Sequence, residues 1–133
     1  MYSQKPHEAY RNNSVNTATS GELTLMLYNG CIKFIKQSKR SIEENAYEEK
    51  NKNIQKAQNI IRELMVTLNP EVELTKQMMP LYEFIMNCLQ EANMKNDLDK
   101  LNEALELVQD FRDTWKQVIL QNRKLMHAES AEV

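Results

Sequence analysis

Glycine and proline are almost missing from this chain of 133 residues: there are two glycines, Gly21 and Gly30, and three prolines, Pro6, Pro70 and Pro80. Strands and hairpins, which depend on such turn-formers, have almost no signal. Cysteine is equally scarce. Cys31 and Cys88 both fall inside apolar-periodic segments and form no Cys-x-x-Cys spacing, so they read as reduced, buried small hydrophobes in a reducing compartment. No apolar run approaches the ~18 residues of a membrane span, and no charged-then-apolar leader precedes residue 20. A soluble, cytoplasmic protein is the expectation. Excess positive charge is lacking too: 17 Lys and Arg stand against 19 Asp and Glu, a formal charge of -2. With no basic stripe visible, nucleic acid is not an expected partner. Leu, Ile, Val and Phe together make up only 31 residues, which suits one domain with a lean core.

What is present is helical periodicity, in four successive segments. The first runs from about Ser20 to Glu44, opened by the Thr19-x-x-Glu22 capping box. It carries one stripe of Leu23, Leu27, Cys31, Phe34, Ser38 and Ile42, and beside it a second of Leu25, Tyr28, Ile32 and Ile35. Its N-terminal half is therefore apolar on two faces and must be central to a bundle or covered by something else. The second segment, from about Tyr47 to Leu68, shows Ile54, Ala57, Ile61, Leu64 and Leu68 at alternating spacings of three and four. The third, from about Val72 to Ala92, shows Leu74, Met78, Leu81, Ile85, Leu89 and Ala92, with Pro80 expected to kink it. Asn96 or Asp97 caps the fourth, whose edge is Leu98, Leu101, Leu105, Val108, Arg112, Trp115 and Ile119, with Ala104, Phe111 and Val118 beside it. Short connections between long helices predict an all-α, antiparallel up-down four-helix bundle. Residues 1–18 form a polar N-terminal arm with Tyr2, Tyr10 and Val15 as anchors, residues 19–125 the bundle, and residues 126–133 a frayed tail.

Enzyme chemistry fails by elimination. The only histidines are His7 in the arm and His127 in the tail, so there is no mid-helix phosphotransfer histidine and no Glu-x-x-His pair for a di-iron site. Zinc-ligand clusters, a phosphate-binding glycine loop and a Gly-x-Ser-x-Gly turn are absent from the sequence. The chain is expected to be no enzyme and to need no cofactor or metal. Binding through apolar surface remains. Eight methionines, among them Met26, Met65, Met78, Met79, Met86 and Met94, suit an adaptable hydrophobic surface, although Met78 is most simply a filler of the core.

The order of short motifs along the chain resembles the flagellin-export chaperone family usually called FliS. The arm offers Tyr10, then Val15, Thr17 and Ala18; the first helix follows with Glu22-Leu23 and Met26-Leu27-Tyr28-x-Gly30. Lys56-Ala57 and Glu63-Leu64 come next, then Leu81-Tyr82, Ala92-Asn93 and Trp115. One departure is plain: Thr19-Ser20-Gly21 stands where the family commonly has Ser-Pro, so the prearranged first turn is lost. The resemblance implies a cytoplasmic chaperone that binds the disordered C-terminal segment of flagellin, prevents its premature polymerisation and delivers it to the export gate protein of the flagellar type III apparatus; whether a helper protein shares the complex is left open by the sequence. It implies an arm-covered client groove at Tyr10, Val15, Ala18, Leu23, Leu27 and Tyr28, continued by Ile32, Ala57, Leu64, Tyr82 and Asn93. No membrane insertion is implied. An interaction bundle for an unrelated helical partner would show the same periodicity, and weak homodimers through the two-faced helix fit it as well.

Overall fold

The computed structural model of the chain describes residues 20–132. Among them are four helices and no strand: α1 (Ser20–Glu43), α2 (Tyr47–Val66), α3 (Glu73–Lys95) and α4 (Leu98–Glu132). Each of α1 and α3 packs against both α2 and α4, and α1 and α3 lie across the diagonal of the bundle. The expected up-down architecture is thus observed. Expectations for the arm, including Tyr2, Tyr10, Val15 and Ala18, and for the Thr19 cap lie outside the described residues.

Scarcity of glycine shows directly in how the helices end. Asn45 and Asn96 take the left-handed conformation, φ 58° and 53°, that glycine usually supplies after a helix. After α1, the Ala46 amide donates to the Ser41 carbonyl at 2.8 Å and the Asn45 amide to the Ile42 carbonyl at 3.0 Å, which completes a Schellman motif. After α3, Asp97 takes over at once as the cap of α4: its Oδ1 accepts the amides of Asp99 at 2.9 Å and Lys100 at 3.2 Å. Two helix ends differ from the sequence reading. Pro80 lies inside α3 as expected, but α3 continues three residues past Ala92 to Lys95. α4 runs on through the residues read as the tail, to Glu132. No Gly or Pro follows Pro80 in the sequence, so nothing local stops that helix.

The core is a stack of Ile35, Ile54, Ile61, Leu64, Ile85, Leu89, Leu101 and Val108, all essentially inaccessible. Small residues let α1 and α2 approach closely. A Cβ placed on Gly30 would sit 3.2 Å from Ile60 Cδ1, and Cys31 Sγ lies 3.8 Å from the Ala57 carbonyl oxygen. Burial pushes the Cys31 thiol up to about 12, and Cys88 is shifted upward by burial as well. Because the thiolate is the nucleophile, burial leaves Cys31 essentially unreactive near neutral pH. Both thiols are therefore expected to ignore an aromatic disulfide reagent in native buffer and to react at once in denaturant. Rapid native labelling of either would mean that the bundle opens locally.

Candidate functional site

The helix repeat places residues seven apart on nearly one line, and two such lines face each other where α3 meets α4. On α3 the line is Cys88, Leu81 and Leu74. Cys88 lies on the α4 side, because Glu103 and Lys100 of α4 act on its thiol. Exposure climbs along that line from 3% at Cys88 to 39% at Leu81 and 57% at Leu74. On α4 the line is Ala104, Phe111, Val118 and Leu125, and it climbs from 0% at Ala104 to 36% at Val118 and 63% at Leu125. Because the helices are antiparallel, both gradients run in the same direction in space. Toward the end away from the turn, both lines present exposed apolar side chains, and this apolar face along the α3–α4 seam is the candidate cleft. Phe84, 44% exposed, adds to the α3 wall, while half-buried Met78 and Leu107 pack against the core beneath.

At the buried end, beside the turn, Lys100 of α4 pairs with Glu91 of α3 at 3.7 Å and with Glu103 at 3.2 Å. Lys50 of α2 reaches in as well: its buried ammonium donates to the Asn93 carbonyl at 2.7 Å and to the Asn96 side-chain oxygen. It thereby takes up a carbonyl of the last turn of α3, where the helix dipole favours a cation. Burial lowers the pKa of this lysine. Toward the exposed end, Pro80 removes the hydrogen bond that the Lys76 carbonyl would have accepted, and its ring crowds that carbonyl. α3 nonetheless runs as one helix from Glu73 to Lys95.

Most of the sequence-derived site residues occupy other places. Tyr28, Ile32, Ala57, Leu64 and Tyr82 are buried in the bundle, so in this arrangement they are core and not groove surface. The reason lies in the two-faced helix itself: α2 covers one of its faces and α4 the other. Tyr28 and Tyr82 meet across the diagonal, with their hydroxyl oxygens 2.6 Å apart and Phe111 against both rings at 6.0 and 5.5 Å. Burial raises the pKa of both phenols. Asn93 belongs to the Lys50 clasp, and its side-chain oxygen has no partner. Leu23 and Leu27 are half-buried, like every residue from Gly21 to Leu27. That first stretch of α1 is fastened to α4, since Trp115 Nε1 donates to the Gly21 carbonyl at 2.8 Å and Arg123 pairs with Glu22 at 2.9 Å.

Leu74 and Leu81, read from the sequence as core, prove to be cleft wall; the buried line of α3 is Thr75, Tyr82, Ile85, Leu89 and Ala92. Two signals could have pointed to the cleft. One is Pro80 in the middle of an apolar seam, and the other is the α4 seam continuing to Leu125 and Met126, beyond the length of any partner helix. Among the described residues no group of His, Cys, Asp and Glu is arranged to hold a metal ion. The chemistry this cleft offers is that of apolar side chains, ready to bury a third helix or an extended apolar segment.

Comparison with known proteins points the same way. A family model described as "Flagellar protein FliS" matches residues 2–122. A flagellar secretion chaperone FliS of Bacillus subtilis is 53% identical over 127 residues, covering 96% of both chains. Its counterpart in Escherichia coli is 30% identical, over 90% of this chain and 93% of the other. Among solved structures, a bacterial flagellar chaperone superposes with a TM-score of 0.72 at 18% identity, over 89% of this chain and 98% of that one, which shows a shared fold.

Proposed function

The chain belongs to the FliS family and is a non-enzymatic flagellar secretion chaperone, and from that premise we propose that its client is the disordered C-terminal segment of flagellin, bound in the α3–α4 cleft. The observation that carries this reading is the pair of exposure gradients, from Cys88 to Leu74 and from Ala104 to Val118. A client helix laid between the two lines would complete their burial. A disordered client loses conformational entropy on ordering, so a preformed apolar cleft is the surface it needs, and release needs no nucleotide. Covering the client's apolar face keeps flagellin subunits from polymerising early in the cytoplasm. The loaded chaperone then hands the client to the export gate protein. The half-buried start of α1, with Leu23 and Leu27, extends the binding surface, and residues 1–18, through Tyr10, Val15 and Ala18, compete with the client for it.

Calorimetric titration with a flagellin C-terminal peptide, with circular dichroism on the same mixtures, tests the proposal. One-to-one binding with a gain of helix is expected, and deletion of residues 1–18 should raise the affinity. A folded chain that binds no peptide would end the reading. Lower affinity after the deletion would make the arm a contact or a fold element instead of a competitor.

A further inference from the structure

The formal charge of -2 conceals a segregation of charge. Leu23 to Ile42 contains no acidic residue, nor does Lys50 to Arg62, and these two stretches are the packed bodies of α1 and α2. From residue 73 to 132, in α3 and α4, eleven acidic residues stand against seven basic ones. The sequence shows no basic stripe because its cations are shared between two helices and join only on folding. Lys33, Lys36 and Arg40 follow one another on the exposed ridge of α1, with half-buried Lys39 beside them, and Lys56 is exposed on α2. Phe34 marks the junction: the ammonium groups of Lys33 and Lys56 lie 5.4 and 5.3 Å from its ring centre, one from each helix. Lys52 adjoins them but has Glu49 at 4.0 Å. Glu43, Glu44, Glu48 and Glu49 are gathered around the α1–α2 turn, at one end of the strip.

We propose that this α1–α2 face is an adsorption surface for anionic phospholipid headgroups, which holds the chaperone against a membrane. Lys33, Lys36, Lys39, Arg40 and Lys56 make no ion pair among the described residues, and all but one are lysines. Flexible point charges without a fixed fork suit a diffuse, flat anionic surface better than one bidentate carboxylate or phosphate. A single-stranded nucleic acid would want aromatic faces on which to stack, and Phe34 is buried beneath its lysines. No described helix is long and apolar enough to cross a membrane, so the contact is peripheral. In the cyclic order of packing the α1–α2 side is opposite the α3–α4 side. An adsorbed molecule therefore turns its acidic helices and its cleft away from the lipid.

The test is co-sedimentation of the full chain, without client, with vesicles of phosphatidylethanolamine and with vesicles that also contain phosphatidylglycerol. Binding is expected only with phosphatidylglycerol and should fall steeply as salt is added. Each lysine neutralised should weaken it about fivefold, so the triple charge reversal K33E/K36E/K56E should abolish it. K76E/K116E, on the opposite helices, should not weaken it. Thermal melts establish that each variant is folded. Equal binding to both kinds of vesicle, retention by the triple variant, or no binding at low ionic strength would overturn the proposal. Binding to a single-stranded RNA but not to the vesicles would overturn it too and reassign the face.

Discussion

Leu81→Asp should leave the bundle folded and weaken binding of the flagellin peptide by between about tenfold and a hundredfold. Leu81 stands on the α3 wall of the cleft, exposed enough that its loss costs the free protein little. Burying a leucine side chain under a client is worth about 1.5–3 kcal/mol, and each 1.4 kcal/mol is a factor of about ten. An aspartate at the same place must also be stripped of water, which adds to the loss. Phe84→Asp should act in the same way from the same wall. Calorimetry gives the affinity and a thermal melt gives the stability; the expected pattern is a large change in the first and a small one in the second. Tyr28→Ala should show the reverse pattern, because that side chain lies inside the bundle. If both cleft variants bind like the parent, the client sits elsewhere, and Leu23 and Leu27 at the start of α1 become the next positions to change.

The second large effect concerns stability. Tyr28→Phe removes one partner of the hydroxyl pair and strands the other inside the core, as does Tyr82→Phe. Each single change should cost about 1–3 kcal/mol, whereas the double change removes both polar groups and should cost clearly less than the sum of the two. Denaturant titration of the four proteins measures that coupling. Simple additivity would mean that the 2.6 Å contact contributes nothing. The same pair carries a pH signature. Both phenols are shifted upward in the folded state from the ordinary tyrosine value of 10.0, by burial first of all. Unfolded tyrosine ionises near that value while the folded pair keeps its protons. The stabilisation is therefore complete below pH 10 and is lost as the pH rises beyond it. Cys31, raised from 9.0 to about 12, brings an earlier loss of the same sign that begins near pH 9. In the double phenylalanine variant the tyrosine part of the alkaline decline should vanish while the Cys31 part remains.

The helices were legible in the sequence because their boundaries are set by strong local signals: Asn69-Pro70 after α2, Asp97 before α4, and the onset of apolar periodicity at Ser20. The orientation of α3 was less so. Leu74 and Leu81 neighbour the line of Thr75, Tyr82 and Leu89, and when two adjacent lines are both apolar the repeat alone does not say which one faces inward. Pro80 adds to the ambiguity, because a proline inside the seam predicts a kink. The family resemblance drew attention to Tyr28, Ala57, Leu64 and Tyr82. These are residues that the bundle needs for its own packing, so the motif marks the fold more than it marks the surface. The cleft residues carry no motif, since any exposed apolar side chain at the right height would serve. Cationic segregation was hidden for another reason: Lys33 and Lys56 are distant in sequence and are brought to one ring only by the pairing of α1 with α2.

The clasp formed by Lys50, Asn93 and Asn96 has a mechanical meaning. α3 and α4 resemble a pair of tongs whose pivot is riveted from outside by a third bar, α2. Both glycines of the chain lie in α1, so none loosens the pivot. Burial falls away from that pivot, from Cys88 to Leu74 on one arm and from Ala104 to Val118 on the other. A client pressing between the arms would work against the bending of two rods and not against a floppy hinge. The grip would stiffen the deeper the client is seated.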